Sequence, residues 1–534
     1  MNNKASSYLL LLSSLFLLAS CGGGTASSSS AASKGSGSAA TSVTSTPSQN
    51  TSSTSVSISS NAAFYTIRFL DDDGTILQLS DIEEGVLPVF LGGHPTKPVD
   101  GDTCYTFSGW DHPIVPATAN ATYKATYRSN TLEEESLRRL VFTYHSDTTS
   151  YSVKANSDET VSDLGEIVLP SNLDDGTNGN HPLTSIEYAG FSEMAWLQKI
   201  SIPSSITSIA SFAFNHCEQL TEVTFAEGLT TLDNYVFEYC YSLESIALPA
   251  SLTNLGLNPF WYCNSVKSIS IASENANYKT DSRSLIKISS NNLIFYANAS
   301  GRTYSVPAGV VSIESMAFDG CDQLSAITLP ASLISCVGFN FCPKLAKITV
   351  DSTSTNLMSD SRALYSKDQT QLYAYAEASG DSYEIPSSVT LIGRKAFKGA
   401  STLKSITFSE GLLEIEDDAF EYCINLSGVA FPSTVTALGN YAFGFCTAFT
   451  SVTLPAGLTS VSGGLFLDCR GLTSVTLPAS ITSIGVVAFC DCTQLNALTY
   501  EGTLADWAKV SLGLNWRLLA ALTTVICSDG SITL

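Results

Sequence analysis

A repetition of 23 residues in the carboxyl half of the chain constrains the fold more than any other feature. Cysteines recur at this spacing, a phenylalanine stands three residues before each, and apolar residues follow at fixed distances, as at Cys423, Cys446, Cys469 and Cys492. A constant period of roughly 20–29 residues with a leucine-rich core is typical of a solenoid of stacked turns. The repetition therefore predicts architecture well and says little about a ligand.

The phenylalanine of this pattern marks eleven repeats along the chain. Because the repeats share one pattern, we expect each turn to place its phenylalanine at the same interior point. Stacked at the spacing of β-strands, the rings would form a continuous aromatic spine about 50 Å long. The predicted structural spine consists of Phe191, Phe214, Phe237, Phe260, Phe318, Phe339, Phe397, Phe420, Phe443, Phe466 and Phe489.

The cysteines occupy a second column, in which Met194 and Ala400 take the same position in two repeats. Met and Ala replace Cys as a buried apolar residue but not as a disulfide partner or metal ligand, so the pattern favours packing. The alternative is a row of disulfides or metal sites, for which Cys490-Asp491-Cys492 is the best candidate. We predict neither a metal nor a cofactor. The column comprises Cys217, Cys240, Cys263, Cys321, Cys342, Cys423, Cys446, Cys469 and Cys492.

Two repeat steps are 58 residues long, which is 35 more than one repeat. The insertions, residues 272–306 and 351–385, resemble each other and each predicts an extra β-hairpin rich in tyrosine. Since they occur in the same phase, we expect both hairpins on one side of the coil. Their tyrosines are candidate ligand contacts, although packing against the solenoid is the favoured alternative. The candidates are Tyr278, Tyr296, Tyr304, Tyr365, Tyr373, Tyr375 and Tyr383.

The repeat motif resembles the BspA-like leucine-rich repeat family. The segment from Leu472 through Pro478, Ile481-Thr-Ser-Ile484 and Ala488-Phe489 to Cys492 shows the motif in full. The resemblance extends over about residues 140 to 534. It implies a mainly β fold with short helical turns, a leucine-rich repeat solenoid with caps, and a role in adhesion to host matrix proteins or other cells.

The amino terminus combines a basic residue, Lys4, with a short apolar run from Tyr8 to Ala19. The run is too short to span a bilayer. It ends in Leu18-Ala19-Ser20-Cys21, which resembles the bacterial lipoprotein lipobox. The resemblance implies a signal peptide over residues 1–21, lipid attachment at Cys21 and a place on the extracytoplasmic face of the cell envelope; an ordinary secretory signal is the alternative.

Residues 22–60 are nearly all Ser, Thr, Gly and Ala, a composition that predicts a disordered tether.

From residue 61 to 129 the pattern changes to alternating strands, with a turn at Asp73-Gly74 and the segment Tyr105-Thr-Phe-Ser-Gly-Trp110. This order resembles the internalin-type B repeat, a small β-grasp-like module, and implies a role in display. Asp71 to Asp73 fit a hairpin turn better than a calcium loop.

Caps are expected at both ends of the array, because a bare solenoid end exposes apolar surface and unpaired backbone. We assign residues 130–188 to the amino-terminal cap, which a capping box from Thr131 to Glu134 opens. Residues 189–500 form the repeats and residues 501–534 the carboxyl-terminal cap. Trp507 and Trp516 are expected to cover the last spine phenylalanine.

Charge and motif content exclude several function classes. The net charge of −23 argues against nucleic acid, because a phosphate backbone requires a Lys- and Arg-rich surface. Histidine does not occur after His216, and the sequence lacks a phosphate-binding loop, HExxH and GxSxG, so we predict no enzyme. The leading hypothesis is a lipid-anchored surface protein that binds extracellular proteins. A non-binding envelope scaffold and a glycan-capture lipoprotein are the alternatives.

Overall fold

A computed structural model describes residues 63–101, 103–156, 164–336 and 339–534. The predicted signal peptide, Cys21 and the tether to residue 60 lie outside the described residues. Within them the chain is mainly β with two short helices, which confirms the predicted fold class. No helix in these ranges is long and apolar enough to cross a membrane.

The amino-terminal module is a five-stranded sheet with the order β2-β1-β5-β4-β3. The two strands that come first and last in the sequence, β1 and β5, pair in parallel, and the other neighbouring strands pair antiparallel. Buried Ile67, Phe69 and Tyr123 form its small core, and the Phe69 and Trp110 rings lie 4.7 Å apart. The strands are β1 (Phe64–Leu70), β2 (Ile76–Glu83), β3 (Lys97–Asp100), β4 (Thr103–Trp110) and β5 (Ala121–Thr131).

The entry to the solenoid begins with a capped helix. The Thr131 side chain accepts from the Glu134 backbone and the Glu134 side chain from that of Thr131, which confirms the predicted capping box. An antiparallel hairpin follows, and its second strand pairs in parallel with the first strand of the coil proper. These elements are α1 (Leu132–Arg138), β6 (Leu140–His145), β7 (Ser150–Ala155), β8 (Glu166–Val168), β9 (Asn172–Asp174) and β10 (Asn180–Ile186).

Most solenoid turns contribute one strand to each of two parallel ladders, although the turn between Ser405–Thr407 and Ser451–Thr453 has none in the long ladder. In the long ladder alternate residues point inward, so Ile200 is buried and pairs in register with Val223 of the next turn. The long ladder contains β11 (Lys199–Ile202), β13 (Glu222–Phe225), β15 (Ser245–Leu248), β17 (Ser268–Ile271), β21 (Thr303–Ser305), β23 (Ala326–Leu329), β25 (Lys347–Val350), β29 (Ser382–Glu384), β31 (Ser405–Thr407), β34 (Ser451–Thr453), β36 (Ser474–Leu477) and β38 (Ala497–Tyr500).

The short ladder has two-residue strands, in which Ile209 pairs with Leu232 in the same 23-residue register. It continues the pairing that β7 and β10 begin. The short ladder contains β12 (Ser208–Ile209), β14 (Thr231–Leu232), β16 (Asn254–Leu255), β22 (Ser312–Ile313), β24 (Ser335–Cys336), β30 (Leu391–Ile392), β32 (Glu414–Ile415), β33 (Ala437–Leu438), β35 (Ser460–Val461), β37 (Ser483–Ile484) and β39 (Ser511–Leu512).

Between the two strands of a turn lies the bend that carries the spine phenylalanine. The Phe214 N–H donates to the Val236 carbonyl of the next turn at 2.8 Å, so hydrogen bonding continues through the bend. The residues two before and two after the phenylalanine have left-handed backbone, with φ of 60° at Phe212 and 58° at His216. The next turn repeats this conformation at Tyr235 and Tyr239.

All eleven spine phenylalanines are buried, but their rings form three stacks instead of the continuous spine that we expected. Rings from Phe191 to Phe260 stack 5.1 to 5.7 Å apart. Phe318 and Phe339 form a second, edge-to-face pair, and rings from Phe397 to Phe489 form the third stack. The hydrophobic core divides into three clusters at the same two places, which are the insertions.

The cysteine column has a hydrogen-bonding role in addition to packing. The Cys446 thiol donates to the Phe420 carbonyl of the preceding turn at 3.2 Å, and Cys217 donates likewise to Phe191 at 3.1 Å. Every cysteine in the described ranges is a buried free thiol. The thiol thus adds a second hydrogen bond to a carbonyl such as that of Phe420, which also accepts from the Cys423 N–H at 3.1 Å.

Each insertion adds a complete turn of the coil as well as a hairpin. The last hairpin strand joins the short ladder, the following strand joins the long ladder, and Tyr296 or Tyr375 stacks on the next spine phenylalanine at 4.7 and 4.8 Å. We expected both insertions to protrude from one side of the coil. Instead, part of each insertion forms a turn of the coil itself. Their additional strands are β18 (Tyr278–Thr280), β19 (Ser284–Lys287), β20 (Asn292–Tyr296), β26 (Leu357–Ser359), β27 (Ala363–Ser366) and β28 (Gln371–Tyr375).

The carboxyl-terminal end closes with α2 (Leu504–Trp507) and a hairpin of β40 (Thr524–Cys527) and β41 (Gly530–Thr533) that extends the long ladder. Trp516 contacts the ring of Phe489 edge-on at 6.3 Å, as expected of a lid. Trp507 instead contacts Trp516 at 6.4 Å and Tyr500 at 5.4 Å, so it supports the lid from behind.

Candidate binding surface

The structure buries most of the hairpin tyrosines that we singled out as ligand contacts. Tyr278, Tyr296, Tyr304, Tyr365, Tyr375 and Tyr383 are at most 5% exposed, and Tyr373 is half-buried. Their hydroxyls serve the fold: Arg283 donates to the Tyr296 oxygen at 2.7 Å, and Tyr304 donates to Asp281 at 2.8 Å. The six buried rings thus correspond to the packing alternative, because the inserted turn draws them into the core.

A different set of aromatic side chains lies at the surface, beside the spine bends. His216, Tyr239 and Tyr262 each stand two residues after a spine phenylalanine, and their rings stack at 4.5 and 5.1 Å. Tyr241 is 39% exposed, and Trp261 lies 4.8 Å from Tyr262. We call these five side chains the aromatic edge. They are half-buried or exposed, so they present contiguous aromatic surface on one edge of the solenoid.

A second aromatic cluster continues the same column in the carboxyl-terminal half. Tyr422 stacks on Phe445 at 4.4 Å and meets Phe341 edge-on at 5.6 Å, although two turns separate Phe341 from Tyr422. Gly399 makes this contact possible, since a Cβ there would lie 3.0 Å from the Phe341 ring. Its φ of +82° also favours glycine.

Buried charged groups lie beside these aromatic residues. Burial raises the pKa of Glu238 to about 7, against the opposing effect of the hydrogen bond that Asn215 donates at 2.7 Å. Burial likewise raises the pKa of Asp319 to about 6, and the neighbouring Lys395 opposes the rise. Lys398 forms an ion pair with Glu421 on the adjacent turn. Buried carboxyl groups with little access to water therefore lie beneath the aromatic surface.

Reading the column two residues after the spine phenylalanine would have identified three of the five side chains of the aromatic edge in the sequence. Tyr239, Tyr262, Tyr422 and Phe445 recur in this column with the same period as the cysteines. The period alone does not show that this column faces solvent, because two-residue alternation in a strand would predict burial beside a buried phenylalanine. The left-handed backbone at these positions is what turns their side chains outward.

An open groove of about 560 Å³ lies along the first turns of the short ladder. Its lining includes a hydrogen-bonded chain in which His145 contacts Ser152 at 2.9 Å and Ser152 donates to Glu187 at 2.8 Å. In a catalytic triad the histidine stands between the hydroxyl and the carboxylate, whereas here the hydroxyl stands in the middle. These contacts therefore do not activate the Ser152 hydroxyl as a nucleophile, and they fix the side chains of the groove wall.

Comparison with known proteins identifies the repeats. The model of the BspA type leucine rich repeat region matches in six copies, over residues 184–293, 287–367 and 368–496. Leucine-rich repeat solenoids of this type are typically non-enzymatic. No curated protein matches the sequence.

Several solved structures resemble the chain at low identity. A leucine rich cell surface protein from Faecalibacterium prausnitzii is 22% identical, with 70% of this chain and 96% of that chain covered and a TM-score of 0.44. A leucine-rich repeat protein from Eubacterium ventriosum is 17% identical over 71% and 92% of the two chains, with a TM-score of 0.43. The pneumococcal vaccine antigen PcpA is 18% identical over 73% and 98%, with a TM-score of 0.36.

Proposed function

The chain belongs to the BspA-type leucine-rich repeat family, and on that premise we propose that it is a lipid-anchored protein of the bacterial cell surface that binds extracellular proteins. Cys21 is the proposed site of lipid attachment, and residues 22–60 hold the folded part away from the membrane. Residues 61–129 display the solenoid as an internalin-type B repeat would. The partners are host matrix proteins or proteins on other cells, and the outcome of binding is adhesion.

The aromatic edge carries this proposal. Tyrosine and tryptophan dominate the energetics of protein interfaces, because each buries a large area and loses little conformational entropy. Tyr239, Tyr241, Trp261 and Tyr262 lie within one stack of contacts, so they are already ordered before a partner arrives. A scaffold without a ligand gives no reason for such a cluster at the surface, since isolated exposed aromatic residues would serve it equally well.

Binding to purified extracellular-matrix glycoproteins tests the proposal. The full chain is immobilised, and its affinity for each glycoprotein is compared with that of a Tyr239→Ala, Tyr241→Ala double variant. Loss of two interface tyrosines costs about 2–4 kcal/mol at an energetic hot spot, so we expect binding to weaken by at least tenfold.

An Ile334→Ala variant is the matched control, because Ile334 is 57% exposed and lies outside the aromatic edge. It should bind within twofold of the wild type, and all variants should unfold at similar temperatures. Equal binding by the double variant and the wild type would remove the aromatic edge from the proposal. Failure of the wild type to bind any matrix or cell-surface protein would favour the scaffold alternative.

The lipid anchor has its own test. Cells that express the full chain are labelled with a radioactive fatty acid, and the protein should carry the label. A Cys21→Ser variant should lose the label and leave the membrane fraction, whereas a Cys104→Ser variant should keep both. Retention of label by the Cys21 variant would refute attachment at this residue.

A further inference from the structure

The groove on the first turns of the short ladder has the features of a site for a basic side chain. Ser152 on β7, Ser185 on β10 and Ser208 on β12 lie along it, and Asp233 follows β14. Glu187 and Tyr188 also line the groove. Hydroxyls, two carboxylates, the Tyr188 ring and the His145 imidazole therefore surround a volume of about 560 Å³.

The Glu187 carboxylate already has hydrogen-bond and ion-pair partners in the wall of the groove. Thr143 and Ser152 each donate to its carboxylate at 2.8 Å, and Lys154 pairs with it at 3.2 Å. Burial opposes its ionisation, but the hydrogen bonds from Ser152 and Thr143 and the charge of Lys154 outweigh burial and hold its pKa below the usual range. Glu187 is thus ionised and already neutralised by a cation of the same chain.

Asp233 differs from Glu187 because it has no such partner. No side-chain hydrogen bond or ion pair to its carboxylate occurs in the described part of the chain. The residue is half-buried, so its charge is less screened than that of a fully exposed carboxylate. The groove therefore contains one uncompensated negative charge.

Tyr188 supplies a fixed aromatic face. It is 67% exposed, which makes it one of the most exposed large side chains of the solenoid. The Phe212 ring holds it edge-on at 5.7 Å, and Phe212 in turn stacks on Tyr235 at 5.3 Å. A tyrosine anchored at one edge and open on its face suits a cation–π contact with a guanidinium or ammonium group.

We propose that this groove binds an arginine or lysine side chain on an extended segment of a partner protein. The cationic group pairs with Asp233 and lies over the Tyr188 ring, and the Ser185 and Ser208 hydroxyls accept from the remaining N–H groups. No lysine or arginine is among the lining residues that the structure describes, so an anionic ligand finds no counter-charge. The site shares no residue with the aromatic edge and goes beyond the function proposed above.

The charge of Asp233 distinguishes a basic peptide from a neutral sugar as the ligand of the groove. A sugar ring would also lie on Tyr188, but its binding would depend little on the charge of Asp233. The net charge of −23 steers cations toward the whole surface, so the test must separate the groove from general attraction. A single-residue change in the groove with a charge-matched change elsewhere achieves this separation.

The experiment uses the full chain and an acetylated, amidated heptapeptide of glycine and serine with one central arginine. Its twin carries citrulline, which keeps the shape of arginine and removes the charge. Saturation-transfer NMR measures both affinities. We expect the arginine peptide to bind at least tenfold more tightly than the citrulline peptide. Asp233→Asn and Tyr188→Ala should each weaken arginine binding by about tenfold, which corresponds to about 1.4 kcal/mol.

Asp322→Asn is the control, because Asp322 is exposed on a distant turn and its loss changes net charge equally. It should leave the affinity unchanged. Equal losses in the Asp233 and Asp322 variants, equal binding of the two peptides, absence of saturable binding, or tighter binding of a neutral oligosaccharide would each overturn the proposal. A Tyr241→Ala variant should retain peptide binding whether or not it binds matrix proteins, so the two proposals fail separately.

Discussion

The regular turns and the inserted turns both place an aromatic ring in the core, but different contacts hold the ring in the two kinds of turn. In the third stack, Phe420 packs between Phe397 and Phe443 at 4.7 and 5.1 Å, and only apolar rings meet there. In the inserted turns a tyrosine takes that place, and Arg362 donates to the Tyr375 hydroxyl at 3.0 Å and to the Ser382 carbonyl at 2.6 Å. The first insertion repeats these contacts through Arg283.

This difference explains why the core divides at the insertions. Stacked phenylalanines transmit packing from turn to turn, because each ring is in contact with its neighbours on both sides. A tyrosine that is tied by its hydroxyl to an arginine of its own hairpin satisfies a local network first. The inserted turns therefore act as polar joints between three apolar segments.

The largest expected effect follows from breaking an apolar segment. Phe443→Ala removes a buried ring from the middle of the third stack and should cost about 3–5 kcal/mol of unfolding free energy. Hydrogen exchange should show lost protection across residues 363–527 and unchanged protection across residues 140–297. Phe443→Leu, as a control, should cost about 1 kcal/mol. Equal loss of protection in both segments would show that the joints do not separate them.

Breaking a joint should have an intermediate effect. Arg362→Ala leaves the Tyr375 hydroxyl and the Ser382 carbonyl without their donor, which should cost about 2–3 kcal/mol in urea unfolding. Arg283→Ala should cost a similar amount, because the two insertions share their contacts. Lysine at either position should not restore stability, since it lacks the planar fork of donors. Full rescue by lysine would mean that charge alone holds the joint.

The smallest effect concerns the buried carboxyl group of Glu377 in the second inserted turn. Glu377 is 2% exposed, and burial raises its pKa well above 4.5, although Cys342 N–H donates to it at 2.7 Å. The folded state therefore binds this proton more tightly than the unfolded chain, so the stability that Glu377 contributes is fully present below pH 4.5 and is lost as pH rises through the raised pKa. In the third stack the equivalent positions are Gly399, Tyr422 and Phe445, followed by Asp468 and Asp491, whose carboxyl groups are only half-buried.

Glu377→Gln keeps an acceptor for Cys342 and removes the buried charge. Thermal unfolding at pH 5 and pH 8 should show a smaller loss of stability with rising pH than in the wild type, by roughly 1–2 kcal/mol at pH 8. Glu384→Gln, at an exposed position of the same insertion, should leave the pH dependence unchanged. A wild-type profile that the Glu377 variant reproduces would place the titration elsewhere, for example at Asp319.

The sequence by itself determined the repeat, the buried phenylalanine column and the buried cysteine column. Each of these follows from the spacing of apolar residues within one turn, and a 23-residue period places identical positions above one another. The capping box at Thr131 was equally readable, because its two hydrogen bonds join residues three apart in the chain.

Only the tertiary structure decided how the insertions enter the coil and which side chains reach the surface. Tyr296 and Tyr375 are buried because a later turn closes over them, and no local pattern distinguishes that outcome from an exposed hairpin. The aromatic edge and the groove each combine residues from several turns, such as Tyr188 and Asp233. Their chemistry therefore depends on contacts between turns, which arise only when the coil has formed.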